Sequence, residues 1–190
     1  IGQVELIKIY DKFFDEYNKT IAQVLLTRDG IENSLRRSNA CNTLNALLER
    51  GIIPVINEND TVSTEEIEFG DNDNLSAIVA ELVNADLLIM LSDIDGMYTE
   101  DPKVNASAEL MSKVTELDKK LRKYISGSKS AFGTGGMASK LIAADRCLQH
   151  RRDMVVSNGV DPAIIYDILD GKEVGTFFVS KFTVEHAEKI

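Results

Sequence analysis

The chain has 190 residues, 44% of them hydrophobic and 27% charged, the balance of a globular domain long enough to bury a sizeable core. Its 21 Lys and Arg stand against 31 Asp and Glu, a formal net charge of -10, so the domain-wide basic footprint of a nucleic-acid binder is missing. Anionic small molecules stay in play, because helix N-termini, a single lysine or a metal ion make a cleft locally positive.

Residues 4 to 17 place Leu6, Ile7, Tyr10, Phe13, Phe14 and Tyr17 at helical spacing and predict an amphipathic helix. "IAQVLLT" (21–27) reads as a buried strand. A helix over 34–50 follows, with Leu35, Leu44, Leu47 and Leu48 inward and Gly51 as its stop. "IIPVI" (52–56) is a second short buried strand, and 60–69 a loop or hairpin. Residues 74–84 are expected to be helical, with Asn74 or a neighbour as cap, before the strand "DLLIMLS" (86–92) and a turn-rich loop over 93–105. A helix near 115–125 carries Lys119, Lys120, Arg122 and Lys123, a solvated basic face. The Gly/Ser-rich loop 126–136 leads into a helix over 137–149, and "DMVVSNG" is a strand ending in a turn. Asp161 and Pro162 read as N-cap and N1 of a helix ending near Gly171, and "GTFFVS" (175–180) as the last strand. Strands alternating with helices point to an α/β sandwich with a largely parallel sheet, without internal repeat or linker.

The two cysteines, Cys41 and Cys147, have no CxxC spacing and read as small core residues in a reducing, cytoplasmic compartment. His150 and His186 are the only histidines and show no ligand spacing. No apolar run approaches the roughly 18 residues of a membrane span. The chain opens on Ile1 and enters a helical pattern at once, which leads us to expect a fragment lacking its true N-terminus.

In α/β folds, ligands gather where strands end and helices begin, and four such junctions carry unusual side chains. "INENDTV" offers Asn57, Glu58, Asn59 and Asp60, although Asn and Asp also favour plain turns. "GDNDN" sets Asp71, Asn72, Asp73 and Asn74 before an apolar run, more capping groups than one helix start uses. "LSDIDGMY" puts Ser92 and Asp93 at a strand end; its aspartates lack the spacing of a calcium loop. "FGTGGMASK" runs a glycine-rich loop into a helix bearing Lys140, a phosphate-binding arrangement. It also matches G-x-G-x-x-A at Gly133, Gly135 and Ala138, but no apolar strand precedes the glycines, and a Walker A loop is absent. Together the four supply amides and carboxylates for a polar substrate, and a loop and lysine for phosphate. Phosphoryl transfer mainly needs positioning and charge neutralisation, so this inventory suffices.

The motifs "IPVINENDTV", "FGDNDNLSAIVA", "ADLLIMLSDIDGMYTEDP", "GTGGMASKLIAA" and "VVSNG" through "GTFF", in this order, resemble the amino acid kinase family, in its branch that phosphorylates L-glutamate. The resemblance runs from "IGQ" to about Val179. It implies a three-layer α/β/α sandwich and ATP-dependent, Mg2+-assisted phosphorylation of the glutamate side-chain carboxylate to γ-glutamyl phosphate, the first step towards proline. Residues 1–180 would form the kinase domain, without its N-terminal strand and Gly-Ser phosphate loop, and 181–190 a tail, with no PUA domain. By the same resemblance Asn57, Asp60 and Asn72 hold glutamate. Asp73, with Asp71 as partner, organises the phosphate-handling lysines. Ser92 and Asp93 touch the nucleotide, as do Thr134, Gly135, Gly136, Met137, Ala138, Ser139 and Lys140, with Lys140 near the transferred phosphate. Oligomers and feedback inhibition by proline are also implied. His150 and Arg151 stand where the family ends a helix with a small residue and glycine, which touches only the local turn. The alternatives are a kinase of another amino acid, carboxylate or nucleotide, a non-catalytic domain sensing glutamate or proline, and an NAD-binding domain resting on Gly133 to Ala138.

Overall fold

The computed structural model describes residues 2–27, 31–59, 72–100, 105–126 and 136–183. The chain divides into two compact units, Ile1–Leu75 and Ser76–Ile190.

In the first unit, helix α1 (Gly2–Asp15) precedes strand β1 (Ile21–Leu26), helix α2 (Ser34–Glu49) and strand β2 (Ile53–Glu58). Asn33 starts α2: its Oδ1 accepts from the N–H groups of Leu35 and Arg36, both at 3.1 Å. Gly51, at φ +68°, ends it, with Gly51 N donating to Leu48 O and Ile52 N to Leu47 O. The two strands pair in parallel from Ile21↔Ile53 to Leu26↔Glu58.

Burial in this unit departs from expectation. No residue of α1 is buried, and Leu6, Tyr10, Phe13 and Tyr17 are exposed along the stripe that the spacing places inward. In α2 only Leu44 is buried; Leu35 and Leu48 are exposed. Nine residues of helix turn Leu35 about 180° away from Leu44, so the two never shared a face. Both strands are half-buried rather than buried, with Leu26 their one buried side chain. Strand β2 also runs two residues past its expected end. Asn57 and Glu58 are poor strand formers, yet their backbones pair with Leu25 and Leu26, and Asn59 N extends the ladder to Leu26 O at 2.8 Å.

Helix α3 (Asn72–Leu82) spans the unit boundary, and the chain then runs through β3 (Leu87–Ser92), β4 (Lys113–Val114), α4 (Lys119–Ser126), α5 (Gly136–Gln149), β5 (Asp153–Asn158), α6 (Ile164–Leu169) and β6 (Thr176–Phe178). The second unit's strand order is β3-β5-β6-β4. Strands β3 and β5 are parallel, from Leu87↔Asp153 to Ser92↔Asn158; β4 and β6 are parallel; β5 and β6 are antiparallel. The fold is therefore α/β with a mostly parallel sheet. Met90, Leu141, Ala144, Cys147, Met154 and Phe178 lead the core, with Ala77 of α3 joining it.

Several boundaries shift for local reasons. Helix α3 begins at Asn72, so Asn74 lies inside its first turn and is not its cap. Helix α4 begins at Lys119 because Asp118 Oδ1 accepts from Leu121 N at 2.8 Å, an N-cap bond. Lys119 and Arg122 are exposed on it, as a solvated face requires. Helix α6 begins at Ile164; Asp161 instead closes a turn, its Oδ1 accepting from Ala163 N at 2.9 Å. The two-residue β4, too short to show periodicity, went unforeseen, and β6 is shorter than expected. Because β6 runs against β5, its start, Gly175–Thr176, lies at the carboxyl end of β3 and β5.

Candidate active site

In the first unit, Asn57 is the penultimate residue of β2 and half-buried, its Oδ1 accepting from Glu58 N at 2.9 Å. Asp60 and Asp71 lie outside the described residues. Asn72 is exposed, and Asp73 and Asn74 are half-buried, all in the first turn of α3. Asp73 is the acidic residue of that first turn, where a negative side chain complements the helix dipole.

In the second unit, the carboxyl ends of β3 and β5 form one polar edge. Ser92 Oγ donates to Asp93 Oδ1 at 3.0 Å, and Gly159 N donates to Ser92 O at 2.8 Å. The chain after Asp93 folds back over this edge. Gly96, at φ +152°, packs so tightly that a Cβ would sit 2.6 Å from Thr176 Oγ1. Met97 N then donates to that same oxygen at 2.7 Å. Between these points Asp95 accepts from Asn158 Nδ2 at 2.8 Å through Oδ1 and from Tyr98 OH at 3.3 Å through Oδ2. Partial burial, then the Asp95 charge and hydrogen bond, push the Tyr98 phenol above its ordinary value.

Asp95, Asn158 and Thr176 escaped the sequence reading. The signal was available: the "SNG" turn closes a strand parallel to the one ending in "SD", and Asp95 follows two residues later.

The glycine-rich junction is described from Gly136; Thr134 and Gly135 lie outside the described residues. Gly136, Met137 and Ala138 open α5 half-buried. Ser139 Oγ donates to Gly136 O at 3.0 Å, and Lys140 Nζ lies 3.4 Å from the same oxygen. Lys140 is only 7% exposed, rare for a lysine, and follows the backbone N–H groups that open a helix, an anion-favouring place. Thus Ser92 and Asp93 share one edge with Asp95 and Asn158, while Ser139 and Lys140 gather around the Gly136 carbonyl. Among the described residues, no group of three or more His, Cys, Asp or Glu converges as a metal cage.

An open cleft of about 580 Å3 lies elsewhere, lined by Glu116, Arg122, Asp145, Arg151, Lys181 and Phe182 among others. These residues follow β4 and β6 or precede β5, so the cleft sits at the opposite end of the sheet from Ser92. Four of its charges pair, Arg122 with Asp145 at 3.1 Å and Lys181 with Glu116 at 2.8 Å, while Arg151 lies over the Phe182 ring.

Residues 1–158 match the amino acid kinase family. The glutamate 5-kinase of Clostridium perfringens is 51% identical over 185 residues, 95% of this chain and 69% of that protein. The glutamate 5-kinase of Listeria innocua is 52% identical over 185 residues, 95% of this chain and 67% of that protein. The chain thus spans about two thirds of the length of these relatives. Among solved structures, the isopentenyl phosphate kinase of T. acidophilum aligns with a TM-score of 0.59 at 20% identity, covering 93% of this chain and 66% of that one. UMP kinase from Bacillus anthracis aligns with a TM-score of 0.54 at 22% identity, covering 86% and 59%; both likenesses establish the fold. The chain belongs to the amino acid kinase family, and within it to the glutamate 5-kinases.

Proposed function

We propose that the protein transfers the γ-phosphoryl group of ATP to the side-chain carboxylate of L-glutamate, giving γ-glutamyl phosphate for proline biosynthesis. The observation that carries this reading is the identity of about half the residues, over 95% of the chain, to proteins named glutamate 5-kinase. Asn57, Asp60 and Asn72 hold glutamate, Asp60 being suited by its charge to the ammonium group and the asparagines to the polar groups. Ser92, Asp93 and the segment from Thr134 through Lys140 hold the nucleotide.

The chemical difficulty is that an anionic phosphoryl group must meet an anionic carboxylate. Lys140, held beside the first turn of α5, offsets the charge that develops on the transferred group, which lowers the barrier when it acts more strongly on the transition state than on the bound substrates. Asp73, with Asp71, orients the lysines that do this. Mg2+ takes one or two carboxylates from a protein and completes its octahedron with water and phosphate oxygens. Asp73 is a carboxylate of that kind among the described residues, and the ion supplies further charge neutralisation when it arrives with ATP. The reading extends to a cytoplasmic homo-oligomer inhibited by proline.

The test is a panel of acceptors with ATP and the full-length protein: L-glutamate, acetylglutamate, aspartate, carbamate and UMP. ATP-dependent acyl phosphate, trapped with hydroxylamine, is expected with L-glutamate; turnover of acetylglutamate but not glutamate would overturn the assignment. Lys140→Ala is expected to lower kcat at least about a hundredfold while calorimetry still detects glutamate binding. Unchanged turnover would remove Lys140 from the reacting centre.

A further inference from the structure

We propose that Asp95 and Asn158 form a clasp that positions the nucleotide-contacting edge of the second unit, so that Asp95 acts on ATP affinity through Asp93 without touching the nucleotide itself. The proposal rests on the reading that Ser92 and Asp93 meet ATP.

The geometry of residues 92–98 carries it. This segment leaves the sheet at Ser92, whose register partner is Asn158, and returns to it at Met97, whose N–H is bonded to Thr176 Oγ1 at 2.7 Å. Asp93 lies in the stretch between, exposed, on backbone that belongs to no strand. Asp95 ties the middle of that stretch back to the sheet, because Asn158 Nδ2 reaches its Oδ1 at 2.8 Å. Asn158 is itself fixed: its backbone is strand, and its Oδ1 accepts from Val160 N at 2.9 Å. The second oxygen of Asp95 accepts from Tyr98 OH at 3.3 Å, which joins the clasp to the returning arm. Gly96 has no room for a side chain against Thr176, so the turn closes in one way and Asp95 is delivered to Asn158. A hydrogen bond to a carboxylate is stronger than a neutral one, and this one spans 63 residues of sequence. Ordering the edge before ATP arrives removes an ordering cost from binding, which shows in KM for ATP.

The experiment uses the full-length protein with Asp95→Ala, Asn158→Ala, the double variant and Asp95→Asn. Asp95→Ala is expected to raise KM for MgATP about fivefold, with kcat and KM for glutamate within about twofold of wild type. Asn158→Ala should do the same, and the double variant should fall well short of the sum of the two, because both break the shared Asp95–Asn158 contact. Asp95→Asn retains an oxygen for Asn158 and is expected to recover most of the affinity. Ultraviolet titration of the tyrosines reads the clasp independently of turnover: Asp95→Ala should bring one phenol, that of Tyr98, down towards its ordinary value. An Asp95→Ala protein with that shift but wild-type KM for MgATP would overturn the proposal. So would parallel losses in kcat and both KM values, the pattern of a merely structural role. If the wild-type protein fails to bind MgATP in calorimetry although its tyrosine titration shows the shift, the functional reading falls, and with it the clasp's role in binding, while the contact itself stands.

Discussion

Two parallel strand pairs of equal length, β1–β2 and β3–β5, meet different fates in the same chain. Each pairs six residues in register, and each is written in apolar, largely β-branched or leucine-rich sequence. Yet Met154, Val155, Val156 and Ser157 of β5 are at most 1% exposed, whereas β2 has no buried residue and β1 has only Leu26. The difference lies in what covers them. Strand β5 has β3 on one side and β6 on the other, with Leu141, Ala143, Ala144 and Cys147 of α5 in the same core at 0 to 1% exposure. Helix α2 brings one buried leucine, Leu44, to its unit. An apolar run therefore specifies a strand, but the depth of the strand is decided by its neighbours, which is why parallel strands become core only when both faces are covered.

Large-to-small substitutions test that contrast. Phe178, fully buried where β6 meets β5, should lose about 4 kcal/mol as Phe178→Ala, through lost transfer energy and the cavity left behind. Leu44→Ala in the first unit should cost about 3 kcal/mol, and Leu35→Ala, on the opposite side of the same helix, less than about 0.5 kcal/mol. Urea unfolding of the three variants checks the order. Equal costs at Leu35 and Leu44 would mean that α2 packs on another face.

The two cysteines sharpen the contrast through pH. Burial pushes the Cys147 thiol up to about 11, and the Arg152 and Arg146 guanidiniums pull it back only in part. Unfolded, the thiol ionises near its ordinary value of 9.0. Above that value the unfolded chain releases a proton that the folded chain keeps, so stability is full below it and falls as pH rises through the folded value. The loss expected from this group is about 2 kcal/mol by pH 10.5. Stability measured from pH 8 to 10.5 should therefore fall less steeply in Cys147→Ala than in wild type; identical slopes would show that the thiol is not desolvated. Cys41, half-buried in the first unit, should be alkylated by a maleimide well before Cys147.

What the sequence made legible follows the same division. The order of helices and strands, β4 excepted, was readable because each carries its own period or its own stop. The "GDNDN" and "GTGGMASK" stretches stand out in the sequence because they hold more polar or glycine residues than capping requires. Burial in the first unit was not readable, since the spacing of Leu6, Tyr10 and Phe13 defines a face without saying what meets it. The edge formed by Asp95, Asn158 and Thr176 was only partly readable: the parallel pairing of β3 with β5 brings Asn158 to Ser92, and only the antiparallel return of β6 adds Thr176. The start of α3 was expected two residues late, as helix ends commonly are.

Helix exits give the smallest and most discriminating comparison. Helix α2 leaves through Gly51, at φ +68°, and α5 leaves the same way through Arg151, at φ +61°. The bonds correspond: Arg151 N donates to Leu148 O and Arg152 N to Cys147 O, as Gly51 N and Ile52 N do to Leu48 O and Leu47 O. A left-handed residue with a side chain is strained by about 1 kcal/mol or more, and glycine is not. Gly51→Ala is therefore expected to cost about 1 kcal/mol although nothing lies within 4 Å of the new methyl group. Arg151→Gly removes the strain but also removes a guanidinium that sits 5.4 Å from the centre of the Phe182 ring, a contact worth about 0.5 kcal/mol at an exposed site. The net gain should be about 0.5 kcal/mol in wild type and about 1 kcal/mol in a Phe182→Ala background, where the ring is already gone. Thermal unfolding of the four proteins in this cycle separates the two contributions. If Arg151→Gly destabilises in both backgrounds, the left-handed exit of α5 carries no strain, and Arg151 stands there for contacts other than its stacking on Phe182.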